Sequence, residues 1–332
     1  MSKTGIIIVN TGSPAAPTSE AVAEYLRAFL SDPRICPMNP RLWHFILNRF
    51  IIPKRAPVSA AKYASIWTDE GAPLNAGMRS LAQKLERVCA HDDDIALVRH
   101  TMCYSTPFVE DALVDCREHG CDEVVVIPLY PQSAFSTTAA VRDKTDQAIE
   151  NLGWTPTLRF VENYHDEPAY IAAIADSVSQ SGFDADAGDC LLFAFHSIPM
   201  TDIRSGDTYD KQTRQTARNV ADALGLPENA WRVGYQCRFD KSRTWLGPFT
   251  KEVLGTFADA RRLFVIAPNF SVDCLETTHD IQDALRDVWL EANADKPEDS
   301  FVYVPCLNDS PAQVDLIRQV ALRAPSTPCV PA

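Results

Sequence analysis

One histidine and three carboxylates of this 332-residue chain stand where catalysis is possible. His196 ends the apolar run CLLFAFH, and a histidine at a strand end can act as a base or metal ligand near neutral pH. Segment 268–281, PNFSVDCLETTHDI, carries Asp273, Glu276 and Asp280, which share one face if the segment is helical. Such a ladder can conduct protons or a divalent cation, and carboxylates with imidazole suit ferrous iron without excluding other metals. The alternatives are a structural histidine and acids that complement a helix dipole.

Two further segments place polar groups at the ends of elements. Segment 235–250, YQCRFDKSRTWLGPFT, puts Tyr235, Arg238 and Trp245 in and after a strand-end loop, which could equally be a loop packed by its aromatic residues. Segment 130–138, YPQSAFSTT, offers hydroxyls at a helix N-terminus, a position that binds anions. The sequence has no GxGxxG, Walker or Gly-x-Ser-x-Gly motif, which argues against nucleotide-binding and serine-hydrolase functions.

The elements that must position these residues alternate along the chain. The predicted strands are 5–10, 96–104, 123–129, 157–161, 190–196, 231–236, 263–267 and 301–305. The predicted helices are 19–30, 75–89, 107–119, 139–151, 168–181, 210–224, 245–257, 275–290 and 311–322. Strands that are apolar on both faces and alternate with helices indicate parallel sheets covered on both sides. We predict an α/β fold of two doubly wound lobes, each with four parallel strands.

The lobes are predicted as residues 1–178 and 179–310, followed by a C-terminal helix and tail at 311–332. The boundary is placed at SQSGFDADAGD, because this stretch is rich in Ser, Gly and Asp. Ligands of such sheets bind beyond the carboxyl ends of the strands. The expected cleft is lined by Asn10–Ser13, Tyr104, Tyr130–Thr138, His196, Gln236 and Asn269–Glu276.

The segment Arg34–Lys62 differs from the rest of the chain in charge. It has six basic and no acidic residues, interleaved with apolar ones, in a chain of net charge −13. One interpretation is a helix whose apolar face is core and whose bases are solvated. The other is an apolar rim that accepts a flat, hydrophobic, anionic ligand or touches a membrane surface.

Composition limits the remaining function classes. With 44 acidic and 31 basic residues, the chain lacks the basic surplus of a typical nucleic-acid-binding protein. The longest uncharged run, Val124–Val141, contains two prolines and several polar residues, so we predict no transmembrane helix. The apolar N-terminal stretch is too short for a secretory signal, and we expect a cytoplasmic protein.

The ten cysteines are dispersed and include no Cys-x-x-Cys pair. In a long chain without an export signal we interpret them as free thiols. Cys116 and Cys121, with His119 between them, are the only close pair. A metal site there would need further ligands.

Taken in order, the motifs resemble the ferrochelatase family, whose members insert ferrous iron into a porphyrin to make haem. The resemblance covers about residues 5–325 in six ordered blocks. They are VNTGSPAAPTSEAVAEYLRAFLSDPRI, KYASIWTDEGAPL, IPLYPQSAFSTT, FAFHSIP, YQCRFDKSRTWLGP and PNFSVDCLETTHDI. The resemblance implies two Rossmann-like lobes around a porphyrin cleft, with ferrous iron as substrate, a porphyrin as partner and haem as product.

The same resemblance implies roles for individual residues. His196 matches the catalytic histidine and Glu276 the catalytic acid, and both are expected to bind the metal. Asp280 matches the next member of a proton or metal path, with Asp273 one helical step before Glu276. Arg55 matches a residue that meets a porphyrin propionate. The other expected porphyrin-binding residues are Tyr63, Tyr104, Trp245, Ser136 and Thr137.

Several positions depart from the family pattern. Ala72 stands where the family usually has the serine of Gly-Ser-Pro. Cys103 stands where many relatives have arginine, and Cys274 stands where animal members have histidine. The loop 240–244 looks about one residue longer than usual. Animal members and some bacterial ones bind a [2Fe–2S] cluster, in animals through clustered C-terminal cysteines, whereas this C-terminus has only Cys329. We therefore expect no cluster of that arrangement, and no nucleotide.

The porphyrin and the rival functions stay open at this point. The Asn-x-Gly-Ser-Pro opening and the apolar segment 42–52 favour protoporphyrin IX over coproporphyrin III. The alternatives are a chelatase that inserts cobalt or nickel into another tetrapyrrole, a non-enzymatic tetrapyrrole carrier and, less favoured, an exported solute-binding protein. Segment 42–52 could also touch the cytoplasmic face of the inner membrane.

Overall fold

Strands and helices alternate as the apolar runs of the sequence predict. The computed structural model of the chain describes residues 3–36, 39–238 and 243–327. The strands are β1 Thr4–Asn10, β2 Ile95–Met102, β3 Glu123–Pro128, β4 Thr157–Phe160, β5 Cys190–His196, β6 Trp231–Gln236, β7 Leu263–Ile266, β8 Phe301–Tyr303 and β9 Ser326–Thr327. All eight predicted strands are present, and each end lies within two residues of its predicted position.

The helices follow the predicted order with local differences. They are α1 Ser19–Leu30, α2 Pro40–Ile46, α3 Ile52–Ile66, α4 Pro73–Cys89, α5 Val109–Glu118, α6 Thr138–Leu152, α7 Pro168–Gln180, α8 Met200–Arg204, α9 Tyr209–Ala223, α10 Thr250–Val253, α11 Leu275–Thr277, α12 Arg286–Ala292 and α13 Pro311–Arg323. The predicted helix 245–257 begins only at Thr250, because Gly247 and Pro248 interrupt it. Among the described residues, no helix is long and apolar enough to cross a bilayer.

Two helical segments have π geometry. Leu47–Ile51 joins α2 to α3, and Thr278–Leu285 joins α11 to α12. The first widening is explained by Pro53, which lies at the start of α3, because a proline inside a helix lacks an N–H and clashes with the carbonyl four residues before it. The second π-helical segment, Thr278–Leu285, contains no proline. The predicted continuous helix 275–290 is therefore wound more loosely in its middle than the periodicity implies.

The chain divides into two compact units. The first contains the chain up to Tyr130, Ala134–Asn163 and the chain from Asp309 onward, and the second contains Pro131–Ser133 and Tyr164–Asn308. The expected boundary at 178 differs from this division, since α7 packs against α9 within the second unit. The Ser-, Gly- and Asp-rich stretch marks a loop before β5, and composition alone does not separate such a loop from a domain boundary. Likewise, α13 packs on α4 and belongs to the first unit.

The sheet of the first unit has the strand order β2-β1-β3-β4-β9, and the first four strands are parallel. The two-residue strand β9 adds antiparallel to β4, which the four-strand prediction did not include. Central strand β1 is buried on both faces from Ile6 to Val9, as expected for a parallel sheet covered by helices.

The sheet of the second unit has the order β6-β5-β7-β8, with all strands parallel. Strand β5 is thus internal, and its residues from Leu191 to Phe195 are completely buried. His196 is the last residue of this strand. The fold therefore carries the predicted catalytic histidine at the carboxyl end of an internal, buried strand.

A buried ion-pair cluster stabilises the entry to β5. The side chain of Asp189 is 0% exposed, and its carboxylate accepts hydrogen bonds from Arg261, Arg262 and the Asp184 amide. Burial alone would raise the pKa of Asp189, but the hydrogen bonds from Arg262 and Arg261 outweigh this effect and hold the pKa below its ordinary value. The charged form of Asp189 is therefore part of the folded structure.

We expect Asp189→Asn to lower the free energy of unfolding by about 3 kcal/mol at neutral pH, because it breaks a buried ion pair. A carboxyl whose pKa is lowered by folding stabilises the protein above its unfolded pKa of about 3.9, and this stabilisation is lost as the pH falls. The difference between variant and parent in urea denaturation should therefore shrink below about pH 4. Asp186→Asn, at an exposed position of the same loop, is the control, and equal stability of the two variants would contradict the assignment.

Candidate active site

The imidazole of His196 is held in one tautomer. Its Nδ1 lies 2.7 Å from the Ser197 carbonyl oxygen and donates a hydrogen bond to it. The neutral ring consequently carries its lone pair on Nε2. The side chain is half-buried at the end of β5. His196 can therefore accept a proton or bind a metal through Nε2, as the sequence predicts.

The segment after His196 is fixed by contacts with two other parts of the second unit. The Ser197 amide donates to the Gln236 carbonyl at 2.8 Å, and the Ser197 hydroxyl donates to the Leu246 carbonyl at 2.8 Å. Pro199 forms a β-bridge with Trp245, whose side chain is buried and lies 4.8 Å from the Arg243 guanidinium. The structure thus brings the predicted porphyrin-binding residue Trp245 next to the histidine loop.

His196 lies on the sheet face that the acidic helix covers. Leu192 and Ala194 of β5 share a buried cluster with Ile281 and Leu285 of the π-helical segment. Because alternate residues of a strand point to the same face, His196 lies on that face too.

A glycine lets a second helix approach the same face. Gly234 is the Cα partner of Ala194 in the neighbouring strand β6. A Cβ at Gly234 would lie 3.0 Å from the Thr250 Cα atom, at the start of α10. A larger residue at Gly234 would push α10 away from the sheet.

Asp280 is tied to the end of β6. It lies in the π-helical segment Thr278–Leu285, and its Oδ2 accepts a hydrogen bond from the Cys237 thiol at 3.6 Å. Cys237 follows β6 directly and has a positive φ of 64°, which is uncommon for a residue other than glycine. The contact joins the acidic helix to the strand beside β5, so His196 and Asp280 lie at one edge of the sheet.

Glu276 lies in the first turn of α11 and is half-buried. Its neighbour Cys274 is fully buried, and this burial raises the pKa of the thiol, with the Glu276 carboxylate raising it further. The Cys274 amide donates to the Thr277 hydroxyl at 2.9 Å, which fixes the first turn of the helix. Glu276 thus projects from a well-anchored helix start.

Asp273 lies outside the helix, which corrects the expected i, i+3, i+7 ladder. The helix begins only at Leu275, after an extended Cys274. The Asp273 carboxylate accepts four hydrogen bonds within the second unit. The donors are the hydroxyls of Tyr303 and Thr277, the Asn308 side-chain amide and the Cys306 backbone amide. These bonds indicate that Asp273 anchors the segment 303–308, and its place in a proton or metal path stays a prediction.

Two predicted porphyrin-binding tyrosines are buried in the first unit. Tyr104 is 6% exposed, and its hydroxyl donates to the Asp32 carboxylate at 2.9 Å. The Lys144 ammonium lies 4.6 Å from the Tyr104 ring and 3.4 Å from Asp32. Tyr63 is 7% exposed and packs edge-to-face against Trp67. Packing inside the first unit buries most of the surface of both side chains. Their contact with a porphyrin stays a prediction.

The other predicted porphyrin-binding residues of the first unit are half-buried. Arg55 lies on α3, and Ser136 and Thr137 immediately precede α6. The Thr137 hydroxyl donates to the Ala134 carbonyl at 3.4 Å. The helix N-terminus predicted from the hydroxyl-rich segment is therefore present.

The basic segment combines both interpretations that its sequence allows. Leu47, Ile52, Ala56 and Ala60 are buried, as in the core interpretation. Four large apolar side chains are nevertheless more than half exposed. They are Leu42, Phe45, Phe50 and Val58. This surface, the apolar patch of α2 and α3, is what a rim for an apolar ligand or a membrane would require.

One contact of the site could not be anticipated from the sequence. The Cys237–Asp280 contact joins residues 43 positions apart, and no local signal marks it. Residues 240–242 of the expected longer loop, and Cys329, lie outside the described residues. In the parts of the chain that the structure describes, no group of three or more His, Cys, Asp or Glu side chains is arranged to hold a metal ion.

With this geometry in place, comparison with known proteins identifies the family. The family model for ferrochelatase matches residues 3–324. The chain belongs to the ferrochelatase family. A ferrochelatase of Azoarcus sp. is 40% identical over 96% of this chain and 86% of its own. A ferrochelatase of Vibrio cholerae is 38% identical over 95% of this chain and 96% of its own.

Solved structures confirm the predicted chelatase-like fold of this ferrochelatase. SirB from Bacillus subtilis with Fe3+ superposes with a TM-score of 0.58 at 13% identity, covering 96% of both chains. The sirohydrochlorin chelatase SirB of subspecies spizizenii, in complex with cobalt, gives a TM-score of 0.56 at 12% identity over 96% of this chain and 94% of its own. Family membership makes the reaction a ferro-lyase step, with ferrous iron as substrate.

Proposed function

We propose that this ferrochelatase inserts ferrous iron into protoporphyrin IX, with His196 and Glu276 as its catalytic and metal-binding residues. The observation that carries the proposal is the fixed tautomer of His196, whose Nδ1 donates to Ser197 and leaves Nε2 as the acceptor. The face of β5 that bears His196 packs against the helix that bears Asp280. A base and a path of carboxylates are thus supplied by one unit of the chain.

The chemistry requires that two protons leave the porphyrin as one Fe²⁺ enters. The two pyrrole N–H protons occupy the ring centre, so the ring must lose them before four nitrogens can bind the metal. His196 Nε2 accepts one proton and Glu276 accepts the other, and Asp280 continues the path by which protons leave or iron arrives. Positioned acid–base groups of this kind typically contribute about 10²–10⁴-fold to a rate.

The porphyrin itself would be held by the residues that resemblance assigns to it. Arg55 pairs with a propionate, since guanidinium groups bind carboxylates through two hydrogen bonds. Trp245, Tyr63 and Tyr104 would contribute aromatic contacts through the small exposed fractions of their side chains, and Ser136 and Thr137 would contribute polar groups before α6. The exposed apolar patch favours protoporphyrin IX, which has two vinyl groups where coproporphyrin III has propionates.

The test is side-by-side turnover of both porphyrins with ferrous iron under anaerobic conditions. Faster insertion into protoporphyrin IX is the expected result, and faster insertion into coproporphyrin III would reassign the substrate. Porphyrin binding without turnover would support a carrier instead. Turnover only with cobalt or nickel would support another chelatase.

We further propose that the apolar patch of α2 and α3 rests on the cytoplasmic face of a membrane. Phe45 and Phe50 are more than half exposed beside Arg41, Arg49 and Lys54, a combination suited to an anionic lipid surface. The described cysteines are free thiols. Iron enters this scheme as substrate, and the scheme requires neither a nucleotide nor a [2Fe–2S] cluster.

Replacing Phe45 or Phe50 with serine should reduce binding to vesicles that contain phosphatidylglycerol by about tenfold, since burying a phenylalanine contributes ~1.5–3 kcal/mol. Co-sedimentation measures the bound fraction, and added salt should weaken binding because screening reduces the attraction of the bases. Val88→Ser, at an exposed position on α4, is the control. Unchanged binding of both phenylalanine variants would contradict membrane contact.

A further inference from the structure

A buried side chain beside the catalytic histidine has an unused hydrogen-bond donor. Gln236 is 7% exposed, and its Nε2 has no hydrogen-bond partner among the described residues. Its backbone is fixed, because the Gln236 carbonyl accepts from the Ser197 amide at 2.8 Å. A buried polar group without a partner costs free energy of folding, so such a group calls for an explanation.

The position of Gln236 connects it with the metal-binding residues. Gln236 is the Cα partner of His196 across the parallel pair β5 and β6. Partners in a parallel pair point to the same face, and neighbouring strands lie only about 4.8 Å apart. The next residue, Cys237, donates its thiol hydrogen to Asp280. Gln236 thus lies beside His196 in the sheet and directly precedes the residue that contacts the acidic helix.

We propose that Gln236 is a positioning residue for the metal. Its carboxamide N–H donates to the carboxylate oxygen that Glu276 or Asp280 places on the ferrous ion when the ion binds Nε2 of His196. This inference rests on the proposed function. An ionised oxygen is the acceptor that a buried amide donor binds most strongly. Nε2 of His196 is not the acceptor, because its lone pair is needed for the metal or the proton.

Carboxylates that bind a metal are usually held by such a donor, and its removal typically lowers metal affinity about 10- to 100-fold. A donor reserved for the metal-bound state explains why Nε2 of Gln236 has no partner among the residues that the structure describes. A glutamine that stabilises the fold through its amide would instead have that amide hydrogen-bonded within the protein. Removing the amide should therefore lower the melting temperature if its role is structural. If its donor is reserved for the metal-bound carboxylate, the melting temperature should stay equal or rise.

The test uses Gln236→Met, which removes the N–H and keeps the length of the side chain. Cobalt(II) alone, added without porphyrin, reports metal binding through its visible absorption bands. We expect the Kd for cobalt and the KM for ferrous iron to rise about 10- to 100-fold. The KM for the porphyrin should stay unchanged. The melting temperature should stay equal or rise, because the deleted donor has no partner in the described parts of the chain.

The chain offers a matched control in Gln313. This residue of α13 is 1% exposed, and neither end of its carboxamide has a partner among the described residues. Gln313→Met makes the same chemical change in the first unit and should leave cobalt binding and the KM for iron unaltered. Gln236→Asn, which keeps an amide on a shorter stem, should recover part of the affinity.

The outcomes separate this inference from the proposed function. The positioning role is overturned if Gln236→Met binds cobalt with the affinity of the parent. It is also overturned if the variant has a lowered melting temperature and an unchanged KM for iron. A parent protein that binds cobalt through His196 but inserts iron into no porphyrin overturns the proposed function and leaves the cobalt comparison valid. Equal loss of cobalt affinity in Gln236→Met and Gln313→Met also overturns the role, because the effect would then be general.

Discussion

Replacing His196 with alanine is expected to lower kcat for iron insertion by about 10³-fold or more, because the change removes the proposed base and a proposed metal ligand together. Porphyrin binding should remain nearly intact, since the proposed ring contacts come from other side chains. Porphyrin fluorescence quenching measures binding, and anaerobic haem formation measures turnover. The separation of the two effects is the signature of a residue that acts in the chemical step.

The fold should tolerate this change. The His196 ring donates a hydrogen bond to the carbonyl of the adjacent Ser197. The strand is held in place by Phe195 and its buried neighbours. His91→Ala, at an exposed position between α4 and β2, is the control for loss of an imidazole. Normal iron insertion by His196→Ala, with a melting temperature like that of the parent, would remove His196 from the mechanism.

Sequence periodicity is sufficient to predict the two sheets, because buried parallel strands are short, apolar on both faces and separated by helices. Strands β5 and β6 coincide with the predicted runs at both ends. The same reasoning predicts that His196 stands at the carboxyl end of a buried strand. Its tautomer is set by one backbone carbonyl, and no pattern in the sequence reports that contact.

The path of the chain between units is harder to predict, because it depends on which helices pack together. Helix α7 precedes the Ser- and Gly-rich loop yet packs against α9, and α13 returns to α4. The burial of Tyr104 could not be predicted from the sequence either, since Asp32, which accepts a hydrogen bond from its hydroxyl, lies 72 positions away. Long-range packing thus decides features that local patterns leave open.

The acidic segment shows where helical periodicity misleads. Spacing places Asp273 on a face with Glu276 and Asp280, but the helix begins after Asp273, and the part that carries Asp280 is π-helical. A π-helix has more residues per turn than an α-helix, so an i+4 neighbour no longer lies directly above. The three carboxylates consequently have three different environments, and they should respond differently to substitution.

Glu276→Gln should lower kcat by at least about 10²-fold, since the amide cannot accept a proton or bind the metal with a negative charge. Asp280→Asn should lower kcat less, because the amide oxygen can still accept from the Cys237 thiol and only the passage of ions or protons is slowed. Asp273→Asn should act mainly on stability. Its carboxylate accepts four hydrogen bonds, and losing the charge should cost about 2–3 kcal/mol.

Kinetics and urea denaturation of the three variants together measure this order, with Glu291→Gln on the exposed face of α12 as the control. If the carboxylates pass the ion from one to the next, kcat should fall most when the carboxylate nearest the porphyrin ring is replaced. Equal losses of kcat in Glu276→Gln and Asp273→Asn, at unchanged stability, would instead show that Asp273 carries ions or protons despite its hydrogen bonds. That result would mean that the segment 303–308 releases Asp273 during turnover, because a carboxylate with four donors cannot bind a passing cation until some of them leave.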